Sequence, residues 1–281
     1  MRDIVIIYFS GTGNTKYVSE EICNSFIKQG YTVSLISAED KEMLEKQNYN
    51  GSLVGIGFPC YALNYPDIIA NAIRELPFYT NAVPAFIFST KGWSTGNSMK
   101  NLAVLMRMHN LLTIKTGSFI CPNNGWITLF SPNFILCRNM KFDNKLLEKI
   151  ANYAEDVINL LAVYDKKQFC ISTVSNPIMT LLSWLLVKME GQVMKYYRVE
   201  SDKCTGCGLC VRKCPDHNIK FDENQRVVFV NPNKCTWCVR CISDCPKDAI
   251  RLGRPLTGKG WYTKSLRNEF LKKINKEVNR E

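Results

Sequence analysis

The sequence predicts an α/β protein in which a doubly wound parallel sheet is followed by a small, cysteine-rich second domain. Through the first 165 residues, apolar runs of strand length alternate with helical patterns, and this alternation is typical of a parallel sheet with helices on both faces. Eight of the thirteen cysteines lie between Cys204 and Cys245. A length of 281 residues also favours two domains.

Five apolar runs predict the strands of the sheet: Ile4 to Tyr8, Val33 to Ile36, Leu53 to Ile56, Val83 to Phe88 and Ile114 to Ile120. A helix follows the first run, because Val18, Ile22 and Phe26 repeat at helical spacing and Gly30 provides a stop. Further helices are predicted over three segments: Pro66 to Leu76, Met99 to Met108 and Leu146 to Leu161.

A cysteine motif occurs twice near the end of the chain, as Cys-x2-Cys-x2-Cys-x3-Cys-Pro beginning at Cys204 and again 31 residues later at Cys235. The two-residue gaps allow a tight loop to present three thiolates to a cubane iron-sulfur cluster, with backbone N–H groups directed at its sulfides. One loop cannot reach the fourth corner. The last cysteine of each motif therefore points to the neighbouring cluster.

This arrangement resembles the two-cluster bacterial ferredoxins at every ligand position. The resemblance implies two [4Fe-4S] clusters in a small α+β domain. By it, the first cluster takes Cys204, Cys207, Cys210 and Cys245, and the second takes Cys235, Cys238, Cys241 and Cys214. Zinc is the main alternative, but zinc pairs are separated by long spacers and lack the third and fourth cysteines of this motif. The Cys-x3-Cys-x2-Cys triplet of radical-forming enzymes does not occur in the chain.

A loop rich in glycine and hydroxyl groups follows the first predicted strand. A nucleotide P-loop is excluded because no Gly-Lys-Ser/Thr follows Gly11 at the required distance. A dinucleotide fingerprint fits poorly, since Lys16 stands at its third glycine position. Hydroxyl donors, backbone N–H groups and a helix dipole together suit a terminal phosphate. The residues concerned are Ser10, Gly11, Thr12, Gly13, Asn14 and Thr15.

The first strand and the run SGTGNT resemble the FMN phosphate loop of flavodoxins. That resemblance implies the strand order 2-1-3-4-5, with the flavin held between the loops after strands three and four. In the first of these loops the expected flavin contacts are Pro59, Cys60, Tyr61 and Ala62, and in the second they are Thr90, Lys91, Gly92, Trp93, Gly96 and Asn97. The aromatic segment from Cys121 to Phe134 is a candidate cover for the flavin.

The whole chain is thus similar to flavodoxin-ferredoxin fusion proteins of anaerobic microbes, with a flavodoxin-like domain over residues 1–165 and a ferredoxin domain over 199–252. Residues 166–198 are predicted as a linker or docking helix, and 253–281 as a basic tail. The expected function is transfer of single electrons between the clusters and FMN in a low-potential anaerobic pathway. The alternative is a flavoenzyme that reduces a quinone or nitro compound with the clusters as its electron inlet.

Charge and hydropathy limit the partners. The net charge is +11 and is carried entirely by residues 166–281, but thiolate-bound clusters offset part of it. We expect other redox proteins as partners. Nucleic acid is a weaker candidate, because only the basic net charge points to it.

The longest apolar stretch, Ile178 to Val187, is about half of a membrane span. Lone cysteines and the absence of signal-peptide anatomy favour a reducing, cytoplasmic setting. The sequence leaves homodimer formation open.

Overall fold

The structure is a computed structural model that describes residues 2–49, 51–122, 143–164, 175–194, 197–231, 234–251 and 272. The chain forms two compact units. Of the described residues, 2–120 and 145–184 belong to the first unit, and 121–122, 143–144 and those from 185 onward belong to the second. Each unit is built around elements that the sequence predicts.

Five parallel strands form one sheet in the order β2-β1-β3-β4-β5, which confirms the predicted fold class. The strands β1, β3 and β4 are almost entirely buried. Their near-continuous apolar sequences follow from this, because helices cover both faces of a parallel sheet. The bounds are β1 Ile4–Tyr8, β2 Val33–Ser37, β3 Leu53–Pro59, β4 Val83–Lys91 and β5 Leu111–Ile120.

Five helices accompany the sheet. The sequence predicted all but the second, which has six residues and a single buried side chain, Leu44. Its start is fixed by Asp40, whose carboxylate accepts a hydrogen bond from the N–H of Met43 at 3.1 Å. The bounds are α1 Asn14–Lys28, α2 Lys41–Lys46, α3 Asp67–Arg74, α4 Ser98–Arg107 and α5 Leu146–Ala162.

The loops after β1, β3 and β4 meet at one edge of the sheet, because neighbouring parallel strands end on the same side. Two hydrogen bonds join these strand ends. The N–H of Phe9 donates to the carbonyl of Gly57 at 3.0 Å, and the N–H of Cys60 donates to the carbonyl of Thr90 at 2.8 Å. In open α/β sheets, ligands bind at this edge, where the winding direction reverses.

Gly57 on β3 leaves room for the ring of Phe88 on β4. A Cβ added at Gly57 would lie 2.3 Å from Cζ of Phe88. Both strands are buried here, so Gly57→Ala should lower the free energy of unfolding by roughly 2–3 kcal/mol through overpacking. At Gly51, where φ is +73° and no atom lies within 4 Å of an added Cβ, alanine should cost roughly 1 kcal/mol of backbone strain. Urea unfolding of both variants measures the difference; equal losses would contradict the packing argument.

The helix α6, Pro177–Met194, occupies most of the segment predicted as a linker or docking helix. Among the described residues, no helix combines the length and hydropathy needed to cross a membrane.

The second unit is a small α+β module. Its two short helices, α7 Leu209–Arg212 and α8 Arg240–Ser243, occur at equivalent positions of the two cysteine motifs. Two antiparallel pairs of short strands complete it: β6 (Arg198–Val199) pairs with β9 (Ile250–Arg251), and β7 (Ile219–Phe221) pairs with β8 (Val227–Phe229). The sequence repeat is thus reproduced as a structural repeat.

Candidate functional site

The loop between β1 and α1 has the geometry of an anion-binding turn. Gly13 is left-handed, with φ of 99°, and immediately precedes the first helical residue. Its N–H donates to the hydroxyl of Ser10 at 3.0 Å, which closes the loop. Asn14 and Thr15 are polar yet buried. The hydroxyl of Thr15 lies 2.7 Å from that of Thr90, so the loop is tied to the end of β4.

The loop after β3 forms a tight turn from Tyr61 to Asn64. These two residues exchange backbone hydrogen bonds of 2.9 and 2.8 Å. The residues between them, Ala62 and Leu63, have φ of 47° and 62°. Left-handed conformations cost non-glycine residues about 1–2 kcal/mol each, so surrounding contacts must hold this turn. The side-chain oxygen Oδ1 of Asn64 is buried and has no hydrogen-bond partner within the described part of the chain.

The loop after β4 packs directly on this turn. A Cβ added at Gly96 would lie 2.8 Å from Cβ of Leu63, so the two loops are in close contact. The thiol of Cys60 donates to the carbonyl of Ser94 at 3.4 Å and adds a second link. Trp93 is 57% exposed.

The structure brings all sixteen sequence-predicted flavin residues to the edge formed by these three loops. Asn97 was expected to contact the flavin, but its side-chain amide is hydrogen-bonded to Asn176 at the start of α6. The sequence did not single out Asn64, and it predicted a linker or docking helix over 166–198 without the contacts at its start, because no local motif marks either. The candidate cover lies largely outside the described residues, as does the basic tail except for Lys272.

Two cavities in the second unit are each lined by four cysteines. The first is lined by Cys204, Cys207, Cys210 and Cys245. The second is lined by Cys214, Cys235, Cys238 and Cys241. Three cysteines of each set come from one motif and the fourth comes from the other. These are the two groups of four that the ferredoxin resemblance implies.

The backbone around both cavities repeats with the same 31-residue period as the sequence. Left-handed residues occur at Gly206, Gly208 and His217, and again at Trp237, Val239 and Asp248. Backbone N–H groups donate to cysteine sulfurs at matching points: from Asn218 to Cys214 and from Ala249 to Cys245, each at 3.3 Å. A third such bond, also 3.3 Å, runs from Trp237 to Cys235. These donors suit sulfur that carries negative charge.

The surroundings of the two cavities differ. The first has an aliphatic lining that includes Val199 and Leu209, and Cys207 is exposed. The second includes Tyr197 and Phe229, whose rings stack with centroids 4.5 Å apart. Burial raises the pKa of the Cys235 and Cys238 thiols to about 12. The second set of cysteines is therefore the more strongly desolvated.

Polar contacts join the halves of the module. The carboxylate of Asp216 accepts hydrogen bonds from the N–H and the hydroxyl of Thr236, each at 2.6 Å. Lys213 forms a 2.6 Å ion pair with Asp244, and these residues stand at equivalent positions of the two motifs. Such contacts help to fix the distance between the cysteine sets.

The remaining cysteines resemble packing residues. Burial raises the pKa of the Cys23 thiol to about 12 and also raises that of Cys121, so both stay protonated at neutral pH and are poor nucleophiles. Cys60 is half-buried in the loop after β3. Cys137 and Cys170 lie outside the described residues.

A family model and a related sequence match different parts of the chain. Residues 196–246 match the family model of the 4Fe-4S dicluster domain. The chain is 25% identical over 116 residues to a flavodoxin of Clostridium beijerinckii, an alignment that covers 40% of this chain and 80% of that protein. Among solved structures it is similar to two-electron reduced Megasphaera elsdenii flavodoxin, with 19% identity, a TM-score of 0.39 and coverage of 54% of this chain and 98% of that one. It is also similar to a flavodoxin from the domain Archaea, with 15% identity, a TM-score of 0.35 and coverage of 56% of this chain and 99% of that one.

Proposed function

We propose that this chain, a fusion of a flavodoxin-like domain and a 4Fe-4S dicluster domain, passes single electrons between two [4Fe-4S] clusters and an FMN. Both parts support a role in electron transfer. The observation that carries the finer proposal is the pair of cavities, each lined by four cysteines drawn from both motifs.

The cluster ligands fit the proposal through the chemistry of their donors. Four thiolates complete one [4Fe-4S] cluster, and backbone N–H groups beside the sulfurs stabilise its negative charge. One cavity provides Cys204, Cys207, Cys210 and Cys245, and the other provides Cys214, Cys235, Cys238 and Cys241. The crossed ligation requires the two clusters to lie close together, as rapid one-electron exchange does.

The three-loop edge fits FMN in two ways. The loop from Ser10 to Gly13 leads into a helix N-terminus with buried polar residues, where the phosphate would bind. The buried, unpartnered Oδ1 of Asn64 is a hydrogen-bond acceptor at the adjoining turn, where the polar edge of the ring would provide donors. Flavin contributes the capacity to hold one or two electrons, whereas each cluster carries one.

We place the protein in a low-potential anaerobic pathway, with other redox proteins as donor and acceptor. Cys207 is the exposed member of its set, so the first cluster is the one better placed to exchange electrons with an external protein. Direction of flow depends on the potentials, which cluster surroundings tune over a wide range.

In the experiment, a reduced ferredoxin reduces the holoprotein without oxygen, and the absorbance of the clusters and the flavin is recorded. We expect both to bleach, and an oxidised redox protein added afterwards to be reduced. Sustained reduction of a quinone or nitro compound would favour the flavoenzyme alternative. A flavin that stays oxidised beside reduced clusters would contradict intramolecular transfer.

Tyr197 provides a separate prediction about the second cluster. Its hydroxyl is buried, has no hydrogen-bond partner among the described residues, and lies near the Cys235 thiol. We expect it to donate to that sulfur in the cluster-bound protein, where the bond stabilises the reduced, more negative cluster. Tyr197→Phe should therefore make the reduction potential of the second cluster more negative by about 1 kcal/mol, or roughly 40 mV for one electron. Redox titration followed by EPR measures both clusters, and the first, which should be unchanged, is the internal control. Equal shifts of both, or none, would refute the assignment.

A further inference from the structure

The start of α6 is hydrogen-bonded to the loop after β4. The side-chain amide of Asn97 donates to the carbonyl of Asn176 at 2.8 Å and to the hydroxyl of Thr180 at 2.9 Å. In return, the Oδ1 of Asn97 accepts from the N–H of Asn176 at 3.1 Å. Asn97 is only 4% exposed, so its side of these bonds is buried. The amide is engaged at both ends.

Asn176 also fixes where the helix begins. Its side-chain Oδ1 accepts from the N–H groups of Ile178 and Met179 at 2.9 and 3.4 Å, which is the contact of a helix N-cap. The same residue therefore caps α6 and bonds to Asn97. Moving the helix along its axis would break both sets of bonds together.

One turn beyond Thr180, α6 reaches the other loop. The hydroxyl of Ser183 donates to the carbonyl of Ala62 at 2.8 Å. Thr180 and Ser183 are three residues apart and so lie on one face of the helix. That carbonyl belongs to the strained turn in which Ala62 and Leu63 are both left-handed. Ser183 thus holds a peptide that would otherwise tend to relax.

Polar contacts are prominent where this part of α6 meets the first unit. Ile178, Leu181 and Trp184 are all more than half exposed, while Met179 and Leu182 are half-buried. The polar contacts converge on two loops that already touch each other at Gly96 and Leu63. A helix needed for core packing alone would bury its apolar face.

We propose that residues 176–183, here called the brace, hold the loops after β3 and β4 in the conformation that binds flavin, and so set the affinity for FMN. The inference rests on the proposed flavin site and adds a segment outside the flavodoxin-like region predicted from sequence. Ser183 and Thr180 act as positioning residues through Ala62 and Asn97. Without them, FMN must order the loops as it binds, and that ordering lowers the affinity.

The test uses full-length protein with its clusters retained and its flavin removed, titrated with FMN and followed by quenching of flavin fluorescence. Thr180→Val with Ser183→Ala should raise the dissociation constant about tenfold. Ser183→Thr, which keeps the hydroxyl, should stay within about twofold of wild type. Leu181→Ala is the matched control on the exposed face and should also stay within about twofold. Thermal unfolding of each flavin-free variant reports folding separately.

The possible failures are distinct. If wild type itself does not bind FMN, the proposed flavin site is wrong and the brace falls with it. If wild type binds FMN and the double variant binds equally well, the brace alone is refuted. If the double variant unfolds, the single variant Thr180→Val decides: unchanged FMN affinity refutes the brace. Loss of affinity in Ser183→Thr equal to that in the double variant would also contradict the role of the hydroxyl.

Discussion

Replacing Cys214 with serine is expected to damage the cluster bound by Cys235, Cys238 and Cys241, and to leave the cluster of its own motif intact. The reason is the lining of the cavities: Cys214 shares its cavity with those three cysteines and not with Cys204, Cys207 and Cys210. Serine is a poor substitute for a thiolate ligand, so that cluster should be lost or converted to a three-iron form. Iron analysis and EPR of anaerobically prepared protein measure the outcome.

Cys245→Ser is the matched control for this prediction. Cys245 is the equivalent residue of the second motif and lies in the first cavity, so its loss should give the reciprocal pattern. Tyr197→Phe is expected to shift the potential of the second cluster alone, and this shift would identify which cluster each cysteine variant alters. If each cysteine instead affected the cluster of its own motif, ligation would not be crossed.

The second large effect is expected at the phosphate loop. Thr15 is 1% exposed, and its hydroxyl pairs with that of Thr90. Thr15→Val keeps the shape of the side chain and removes the hydroxyl. Hydrogen bonds to charged groups contribute about 1.5–3 kcal/mol, so FMN should bind roughly 10- to 100-fold more weakly. The affinity for riboflavin, which lacks the phosphate, should fall far less. Titration of the flavin-free protein with each ligand measures both affinities.

Ser25→Ala is the control on the same helix. The hydroxyl of Ser25 donates to the carbonyl of Glu21, three turns from the loop, so its loss should not change the affinity for either flavin. Equal weakening of FMN and riboflavin by Thr15→Val would show that the hydroxyl supports the fold of the loop and not the phosphate.

Much of the fold was predictable because local patterns decide it. The strands β1, β3 and β4 are buried on both faces, which makes their apolar runs continuous and easy to find. The helix α2 was missed because six residues with one buried leucine leave no periodicity to detect. The two cysteine sets came from the resemblance to two-cluster ferredoxins, and the spacing added that one loop can present three thiolates but not four.

The missed features are tertiary. The first cysteine loop uses Gly206 and Gly208 for its left-handed residues, but the second uses Trp237 and Val239, which propensity would place elsewhere. The strained turn at Ala62 and Leu63 likewise has no glycine to announce it. Such residues are left-handed because the surrounding fold requires it, and sequence patterns contain no record of that requirement. The contact between Ser183 and Ala62 joins residues 121 apart in sequence.

The most direct test of the account is the cofactor content of the protein purified without oxygen. Iron, acid-labile sulfide and flavin are quantified per chain. We expect about eight irons and about eight sulfides, as two [4Fe-4S] clusters require, together with one FMN. A colourless protein with zinc in place of iron would contradict the central claim, because the two sets of four cysteines would then hold no electron carrier.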